Sequence, residues 1–582
     1  MPRFRYDLEG LTPEQQDAER KRLWLVRQMQ DPEKAEKIRA RNRESKRAQR
    51  QRTKQSRENT NPGAEPPRFR RQRAPEPAEA SSSQPTPPNS FDPNLIHPAL
   101  QNPAHFVPPR QMSEAAVMTD PHPSYPPRQT INRNLDLASD ILGIQVPQQS
   151  KTITWADGCK TVLPCVMNRG VNICEENDAA FVRFLSIFPE SKPSSTHVVH
   201  INNNRFNRDQ LQQLVSIALR HDRPAVIRGT CSHVLEEIDA EYLEKHFGIS
   251  PLMRVTIHDV AERIRDFSHP HLNGTIQQFV EAIDDPSKIQ CILDIPLSHF
   301  GIPQDFQLLD HGLVYGWNQT TVDCPISSGK VHPDNFTVKS WALLHQGGFV
   351  TYPHHNSDGA ITVLRVEAGA KLWIVFRTKK KLNRTALQKA QMLFANFAQN
   401  RDAIMEIWEA EVIRLLPGDL LFQPAGQVHA VYTPVPSFAT GGHFYNYESL
   451  HLTELSRYID ARKAQFLTNQ VHDNTLETFH RMTLALPRLS PSVRLYHRAV
   501  IGLCLMIVNR DKHKASNNDS GYQIVASEST GRALTIAKTI INHFYNNTEA
   551  AQRAYRSGDQ SDAGELVSRE ELSSCLQSFT HL

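Results

Sequence analysis

The sequence predicts a mixed α/β protein built around a small antiparallel barrel. Residues 347–376 and 420–444 alternate apolar residues with small or polar ones between glycines and prolines, as short barrel strands do. Patterns of helical period before and after these stretches predict helices on both sides of them in the sequence. Residues 1–73 hold 21 Lys and Arg against 11 Asp and Glu, a net +10, which leaves −6 of the overall +4 for the rest. We therefore expect a basic arm followed by a mildly acidic folded body.

Composition narrows the class of protein. The 582 residues allow several domains, and 39 prolines with 39% hydrophobic residues predict a globular part diluted by polar, proline-rich chain. The eight cysteines include no Cys-x-x-Cys pair, so we expect reduced thiols and neither a zinc ribbon, a PHD finger nor a disulfide scaffold. No secretory segment opens the chain, and no run approaches the roughly 18 apolar residues of a membrane span. A soluble protein without a membrane partner is expected.

The composition of residues 1–62, rich in Gln, Glu, Lys, Arg and Ala, predicts a basic helical arm. Within it, Arg39–Arg52 resembles the basic region of bZIP transcription factors, a helix that lies in the major groove of DNA. No heptad zipper follows, since Pro62 ends any helix. Three interpretations stay open: DNA reading, a nuclear import signal with weak nonspecific attraction to nucleic acid, or a solvated charged face. The candidate nucleic-acid contacts are Asn42, Arg43, Arg47 and Arg50.

Three further regions follow the arm. Residues 63–133 are rich in Pro, Ser, Gln and Asn, and we expect a disordered linker, because such a chain buries too little apolar surface to offset its ordering entropy. Residues 134–450 are expected to form the barrel domain with its N-terminal wrapping elements, and the barrel core spans residues 339–445. Residues 451–582 are expected to be a C-terminal helical region with a loose tail beyond Phe544.

Local patterns predict the individual elements of the folded body. Strands are expected at 196–201, 223–229, 291–295, 339–344, 361–366, 371–376, 412–416, 420–423 and 428–433. Helices are expected at 209–219, 235–247 and 275–283, with a helical insertion over 383–410.

Side chains suited to a metal lie at the ends of predicted barrel strands. His354 and Asn356 are two residues apart and would point the same way from a strand, and His429 follows a Pro-Ala-Gly turn. A mononuclear non-haem iron site uses two neutral imidazoles and one carboxylate on one face of the metal, which leaves positions open for a co-substrate and oxygen. The two histidines fit this pattern, and the uncharged amide of Asn356 departs from it.

The spacing resembles that of the JmjC family, 2-oxoglutarate-dependent oxygenases that include histone lysine demethylases. The family pattern is Thr-x-x-His-x-Asp, a lysine fifteen residues after the Asp, and a His in a Pro-x-Gly-x-x-His turn. Residues 223–229, RPAVIRG, are also similar to the entry strand of many JmjC and related cupin domains. The matching positions in this chain are Thr351, His354, Asn356 in place of the Asp, Lys371, Pro424, Gly426 and His429.

The resemblance implies a double-stranded β-helix, a cupin-like jelly roll, with Fe(II) and 2-oxoglutarate as cofactors. It implies that the iron is held by His354, Asn356 and His429. It also implies that Thr351 and Lys371 hold the distal carboxylate of 2-oxoglutarate, a charge-assisted contact in the case of the lysine. The implied activity is histone lysine demethylation or protein hydroxylation in chromatin regulation, with histone tails or another protein as substrate and a nuclear location.

Asn356 leaves two functions open. One is an active dioxygenase, and the other is a catalytically degenerate JmjC-fold scaffold that binds chromatin or protein partners. Asp358 could substitute as the anionic ligand and His355 could exchange with His354, although an Asp-Gly pair is typical of a turn. Each residue type also has a plain structural alternative: a satisfied strand-end histidine, an ordinary strand threonine, or a lysine that reaches solvent.

Overall fold

The computed structural model describes residues 151–230, 238–297, 301–322, 324–325, 339–463, 474–513 and 528–579. The arm, 1–62, and the linker, 63–133, lie outside these ranges. The candidate nucleic-acid contacts Asn42, Arg43, Arg47 and Arg50 therefore lie outside the described residues, and their role stays a prediction.

Short strands occupy most of the described chain between residues 152 and 444. In chain order they are β1 Thr152–Thr154, β2 Lys160–Val162, β3 Met167–Asn168, β4 Val171–Asn172, β5 Val199–Asn202, β6 Ala225–Arg228, β7 Arg254–Asp259, β8 His271–Thr275, β9 Gln290–Pro296, β10 Trp341–His345, β11 Phe349–His354, β12 Ile361–Ala368, β13 Lys371–Thr378, β14 Trp408–Leu415, β15 Leu420–Gln423, β16 His429–Thr433 and β17 Ser437–Phe444.

Within the described ranges the strands form one sheet of nine, a second sheet of four and two small hairpins. The large sheet has the order β5-β6-β15-β12-β17-β10-β9-β7-β8, and the small sheet has the order β11-β16-β13-β14. Neighbouring strands in these two sheets run antiparallel except β5 and β6, which are parallel. The chain passes from one sheet to the other at Gly369, where φ is +72° and a Cβ would lie 2.0 Å from the carbonyl oxygen of Pro436. Glycine alone fits this corner.

Helices flank the sheets and form the C-terminal block. Asn207 and Thr275 each begin a helix with a capping box, in which side chain and backbone satisfy each other's N–H groups. The α-helices of six or more residues in the described ranges are α1 Ala180–Leu185, α2 Arg208–Arg220, α3 Ala240–Phe247, α4 Val260–Arg265, α5 Ile276–Glu281, α6 Arg384–Met392, α7 Phe397–Ile407, α8 Leu450–Lys463, α9 Thr475–Ala485, α10 His497–Val508, α11 Glu528–Tyr545, α12 Thr548–Ser557 and α13 Arg569–Cys575.

A buried apolar cluster joins the two sheets. Because it draws side chains from both, the inner faces of the sheets pack against each other, and burial of this surface is the main stabilising term. The candidate site lies on the same inner face, on β11, β13 and β16 of the small sheet. Members of the cluster are Trp341, Leu364, Val366 and Leu421 from the large sheet, and Trp373, Val375, Ile413 and Val431 from the small sheet.

The C-terminal block has an apolar core of its own, to which α8 to α13 contribute. The sequence predicts a loose tail beyond Phe544, whereas the structure has α12 and α13 there. Ala551 and Tyr555 of α12 are buried one turn apart, and Leu576 after α13 is also buried. The segment is polar on average, but its few apolar residues recur at helical spacing, which is enough to hold it on the block.

The mixed α/β class is confirmed, with a large sheet rich in antiparallel pairs and flanking helices. The more specific jelly-roll description stays a prediction. The helical insertion predicted to reach residue 410 ends at Ile407, because Trp408 already pairs with Thr378 as the first residue of β14. β7 and β8 are not among the strands predicted from the sequence. Among the described residues, no helix combines the length and the apolar character that a membrane span requires.

Candidate functional site

His354 and His429 lie side by side at neighbouring strand ends. They form a cross-strand pair at the end of β11 and the start of β16, and their ring centroids are 4.1 Å apart. The register between the two strands shifts between Thr351 and His354, so β11 holds an extra residue that rotates His354 toward His429. The structure therefore brings together the two imidazoles that the sequence predicts.

Both imidazoles are uncharged near neutral pH, because burial lowers the pKa of His354 to about 4 and that of His429 well below its ordinary value. His354 Nδ1 lies 2.9 Å from the carbonyl oxygen of Tyr352 and donates to it. His429 Nδ1 lies 2.7 Å from Gln423 Nε2, and its ring stacks on Trp373 with centroids 4.8 Å apart. These contacts fix the orientation of both rings.

Asn356 is buried and takes part in a chain of polar side chains. Its Nδ2 donates to the hydroxyl of Thr362 on β12, and that hydroxyl lies 2.9 Å from Nδ1 of His443 on β17. The side chain thus links the end of β11 to the large sheet. Asn356, which the resemblance aligns with the anionic ligand of the JmjC family, is thus a neutral amide that donates a hydrogen bond within the fold.

Asp358 and His355, the two alternatives to the predicted ligands, contact helix α8 instead. Asp358 has φ of +56° in a turn, and its carboxylate forms an ion pair with Arg457. His355 Nε2 lies 3.1 Å from Asp460 Oδ1. Burial lowers the pKa of His355, but the Asp460 carboxylate outweighs burial and raises that pKa above its ordinary value. Both residues are thus paired with side chains of α8, and their role as substitute ligands stays a prediction.

Lys371 is almost fully buried, with 1% of its surface exposed, so it does not reach solvent. Its Nζ donates to Thr433 Oγ1 at 3.0 Å and to His345 Nδ1 at 3.3 Å. No ion pair joins it to a carboxylate among the described residues, and burial lowers its pKa to about 7. Thr351, its predicted partner in ligand binding, is partly buried on β11 opposite Val431, and the hydroxyl that contacts Lys371 is that of Thr433.

The side chains do not fit Fe(II) in the way that the resemblance to the JmjC family implies. Within the described ranges, no group of three His, Cys, Asp or Glu residues could hold a metal ion. Two imidazoles are present, but the third position is neutral and the nearby Asp358 is paired with Arg457. The charge of Lys371 does fit a carboxylate, because a buried ammonium without an acidic partner among the described residues lacks a counter-charge.

Several residues that shape the site were not singled out from the sequence. Trp373 and Gln423 hold His429, Thr362 holds Asn356, and Thr433 contacts Lys371. A signal existed for Gln423 and Thr362, since each is a polar residue inside a predicted apolar strand. Thr433 follows from strand alternation only when the register of β16 against β13 is known.

The sequence matches no model of a known protein family, and a search of curated proteins gives no significant match either. The resemblance to the JmjC family therefore depends on the residues and spacings quoted above and stays a prediction.

Proposed function

We propose that this chain is a JmjC-like barrel protein that acts by binding chromatin or another protein, with little or no oxygenase turnover. The state of Asn356 is the observation that carries the proposal. Its amide nitrogen donates to Thr362 within the barrel, so an uncharged group already engaged in a hydrogen bond occupies the place of the anionic ligand.

Charge explains why this change matters. A site with two imidazoles and one carboxylate holds Fe(II) with a single protein charge, and that charge comes from the carboxylate. Changing residues that merely support metal ligands typically costs about 10- to 100-fold in metal affinity or activity. Loss of the charged ligand itself should cost at least as much, and we expect the natural protein to purify without iron.

The proposed partner follows from the charge of the N-terminal arm. Residues 1–73 carry a net +10, and a basic segment of this kind binds phosphates with an affinity that falls as salt rises. The resemblance of Arg39–Arg52 to a bZIP basic region supports a nuclear role at chromatin. In this proposal the arm supplies weak, nonspecific nucleic-acid binding, and the folded body binds a histone tail or another protein.

Lys371 favours a second candidate, an Fe(II)/2-oxoglutarate-dependent oxygenase that acts as a histone lysine demethylase or protein hydroxylase. The buried ammonium has hydroxyl and imidazole partners but no described carboxylate, and a dicarboxylate ligand would supply the missing negative charge. The two candidates share Lys371 as the proposed anion-binding residue. They differ in whether a metal is bound beside it.

Metal content and co-substrate consumption separate the two candidates. Full-length protein would be measured as purified, and again after anaerobic incubation with Fe(II) and removal of free metal. The scaffold proposal expects iron far below one per chain and 2-oxoglutarate consumption no higher than that of Lys371→Met. Stoichiometric iron with consumption above this control would overturn the scaffold proposal and favour the oxygenase.

The binding role needs a separate test. The full-length protein and an Arg43→Gln/Arg47→Gln/Arg50→Gln variant would be titrated with nucleosomes and with free DNA at several salt concentrations. We expect the variant to bind both more weakly and with a smaller salt dependence. Equal binding by the two proteins would remove the arm from the proposal.

A further inference from the structure

We infer that Gln423 fixes the tautomer of His429 with the proton on Nε2, and that His429 in this tautomer cannot bind a metal ion. The inference deepens the proposed function and rests on it in one respect, that the two facing histidines correspond to a metal-binding pair. The tautomer of His429 is then a second obstacle to metal binding, independent of the neutral side chain of Asn356.

Trp373 sets the donor and acceptor roles in the hydrogen bonds between Trp373, Gln423 and His429. Its indole Nε1 can only donate, and it lies 2.9 Å from Gln423 Oε1. The amide oxygen of Gln423 therefore faces Trp373 and its NH2 group faces His429. A rotated amide would set two donors against each other and leave the buried indole N–H unpaired, which is unfavourable.

The orientation of the Gln423 amide determines which ring nitrogen of His429 carries the proton. Gln423 Nε2 lies 2.7 Å from His429 Nδ1, so Nδ1 has to accept. A neutral imidazole with an accepting Nδ1 carries its proton on Nε2. The main-chain oxygen of Gln427 lies 3.1 Å from the same Nδ1 and could accept from it, but a proton there would point at the closer NH2 group. That oxygen already receives a donor from Gln423 Nε2 at 3.2 Å.

Neither nitrogen of His429 then offers a free lone pair. His354 differs, because its Nδ1 donates to the Tyr352 carbonyl and its Nε2 keeps a lone pair. The facing histidines thus present one acceptor and one donor, an arrangement suited to a neutral hydroxyl or water. Metal-binding histidines usually have the reverse arrangement, with the second nitrogen donating to a carboxylate or carbonyl.

The inference predicts that restoring the anionic ligand alone is not enough. Asn356→Asp should leave divalent metal binding weak, because His429 still lacks a lone pair. Gln423→Glu offers only acceptors, so it accepts from Trp373 and from His429 Nδ1 and frees Nε2. Gln423→Met has a similar size and no charge, and it leaves Nδ1 free to donate to the Gln427 carbonyl.

The test uses full-length protein, Co(II) as the probe metal, calorimetric titration, and Co(II) visible absorption as a readout that needs no activity. We expect Asn356→Asp combined with either Gln423→Glu or Gln423→Met to bind Co(II) about tenfold or more tightly than Asn356→Asp alone. Asn356→Asp combined with Gln427→Glu is the control for charge. It adds a carboxylate close to Gln423, but at an amide that donates to the Phe376 carbonyl and not to His429. Circular dichroism and thermal melting check that each variant folds.

Equal Co(II) affinity for Asn356→Asp and both Gln423 double variants would overturn the inference. The inference would also be overturned if Gln423→Glu and Gln427→Glu raised Co(II) affinity equally and Gln423→Met did not raise it. The added negative charge alone would then explain the gain in affinity. If one double variant fails to fold, the other still decides. Stoichiometric iron in the wild-type protein would contradict the proposed function, whereas tight Co(II) binding by Asn356→Asp alone would contradict only the role of Gln423.

Discussion

Lys371 and Thr433, on adjacent strands of the small sheet, form a hydrogen bond of 3.0 Å between an ammonium group and a hydroxyl, and no carboxylate among the described residues is paired with the lysine. A buried cation in this state either gains an anion or tends to lose its proton, and the pKa of Lys371 is lowered to about 7 accordingly. This contact therefore links ligand binding, pH and stability at one residue.

The first prediction concerns ligand binding. Lys371→Met should weaken 2-oxoglutarate binding about 10- to 100-fold, as expected for loss of a hydrogen bond from a charged group. Lys379→Met is the matched control, because Lys379 donates to the main-chain carbonyl of Met405 and not to the partners of Lys371. Calorimetric titration measures both, and an unchanged affinity in Lys371→Met would remove this lysine from the site.

The pH dependence of the same titration is a second prediction. The ammonium form of Lys371 attracts a carboxylate, and without ligand it loses its proton near pH 7. Wild-type affinity for 2-oxoglutarate should therefore fall as pH rises through this value, and Lys371→Met should lack that dependence. Equal slopes for the two proteins would show that another group controls binding.

Lys371 should also reduce the stability of the ligand-free protein. The pKa of a lysine in the unfolded chain is about 10.4. Between pH 7 and this value, the unfolded state therefore binds a proton at Lys371 that the folded state lacks. Stability should rise with pH across this range. Lys371→Met should stabilise by about 1–4 kcal/mol at neutral pH, with a gain that shrinks as pH rises. Denaturant unfolding at several pH values tests this, and a gain that does not vary with pH would contradict it.

A fourth prediction concerns the ion pair between the insertion and α8. Glu454 and Arg384 are both buried and in contact, and His513 Nε2 lies 2.8 Å from Glu454. Burial alone would raise the pKa of Glu454, but these two partners lower it to about 2. The stabilisation is therefore present above the ordinary pKa of a glutamate and is lost as pH falls toward 2.

Glu454→Gln should destabilise the protein by about 3–5 kcal/mol near neutral pH, because it leaves Arg384 buried without its charge partner. The difference from wild type should narrow in acid, where the wild-type carboxylate is protonated as well. Glu549→Gln, on the exposed face of α12, is the control and should change little. Thermal unfolding across the acid range is the measurement, and a difference that is constant with pH would argue against the ion pair.

Gly369 provides the last prediction. An alanine there would need a left-handed backbone and would place a Cβ 2.0 Å from the Pro436 carbonyl oxygen, so Gly369→Ala should destabilise by more than about 2 kcal/mol. Gly531 in α11 has open space around it, and Gly531→Ala should stabilise by about 0.5–1 kcal/mol. Chemical denaturation compares the two, and a similar change in both would show that the corner between the sheets is not constrained as described.

The sequence alone determined the features that depend on neighbouring residues. Alternation and turn residues located Leu420–Gln423, and helical period predicted a helix at 209–219 where the structure has Arg208–Arg220, because hydrogen bonding and burial in these elements follow a local repeat. The resemblance to the JmjC spacing also predicted that the imidazoles of His354 and His429 lie close together, and their ring centroids are 4.1 Å apart. The ligand role of Asn356 was predicted from its residue type and its distance along the chain. Neither of these indicates which group accepts a hydrogen bond from its amide nitrogen.

Tertiary structure decided the partners. Trp373, Gln423 and His429 come from β13, β15 and β16, and they meet because two sheets pack face to face in one register. The extra residue in β11 rotates His354 into place, and α8 supplies Arg457 to Asp358. A shift of one residue in any of these pairings would turn the side chains to the opposite face, so donor, acceptor and charge partners depend on contacts that no local pattern encodes.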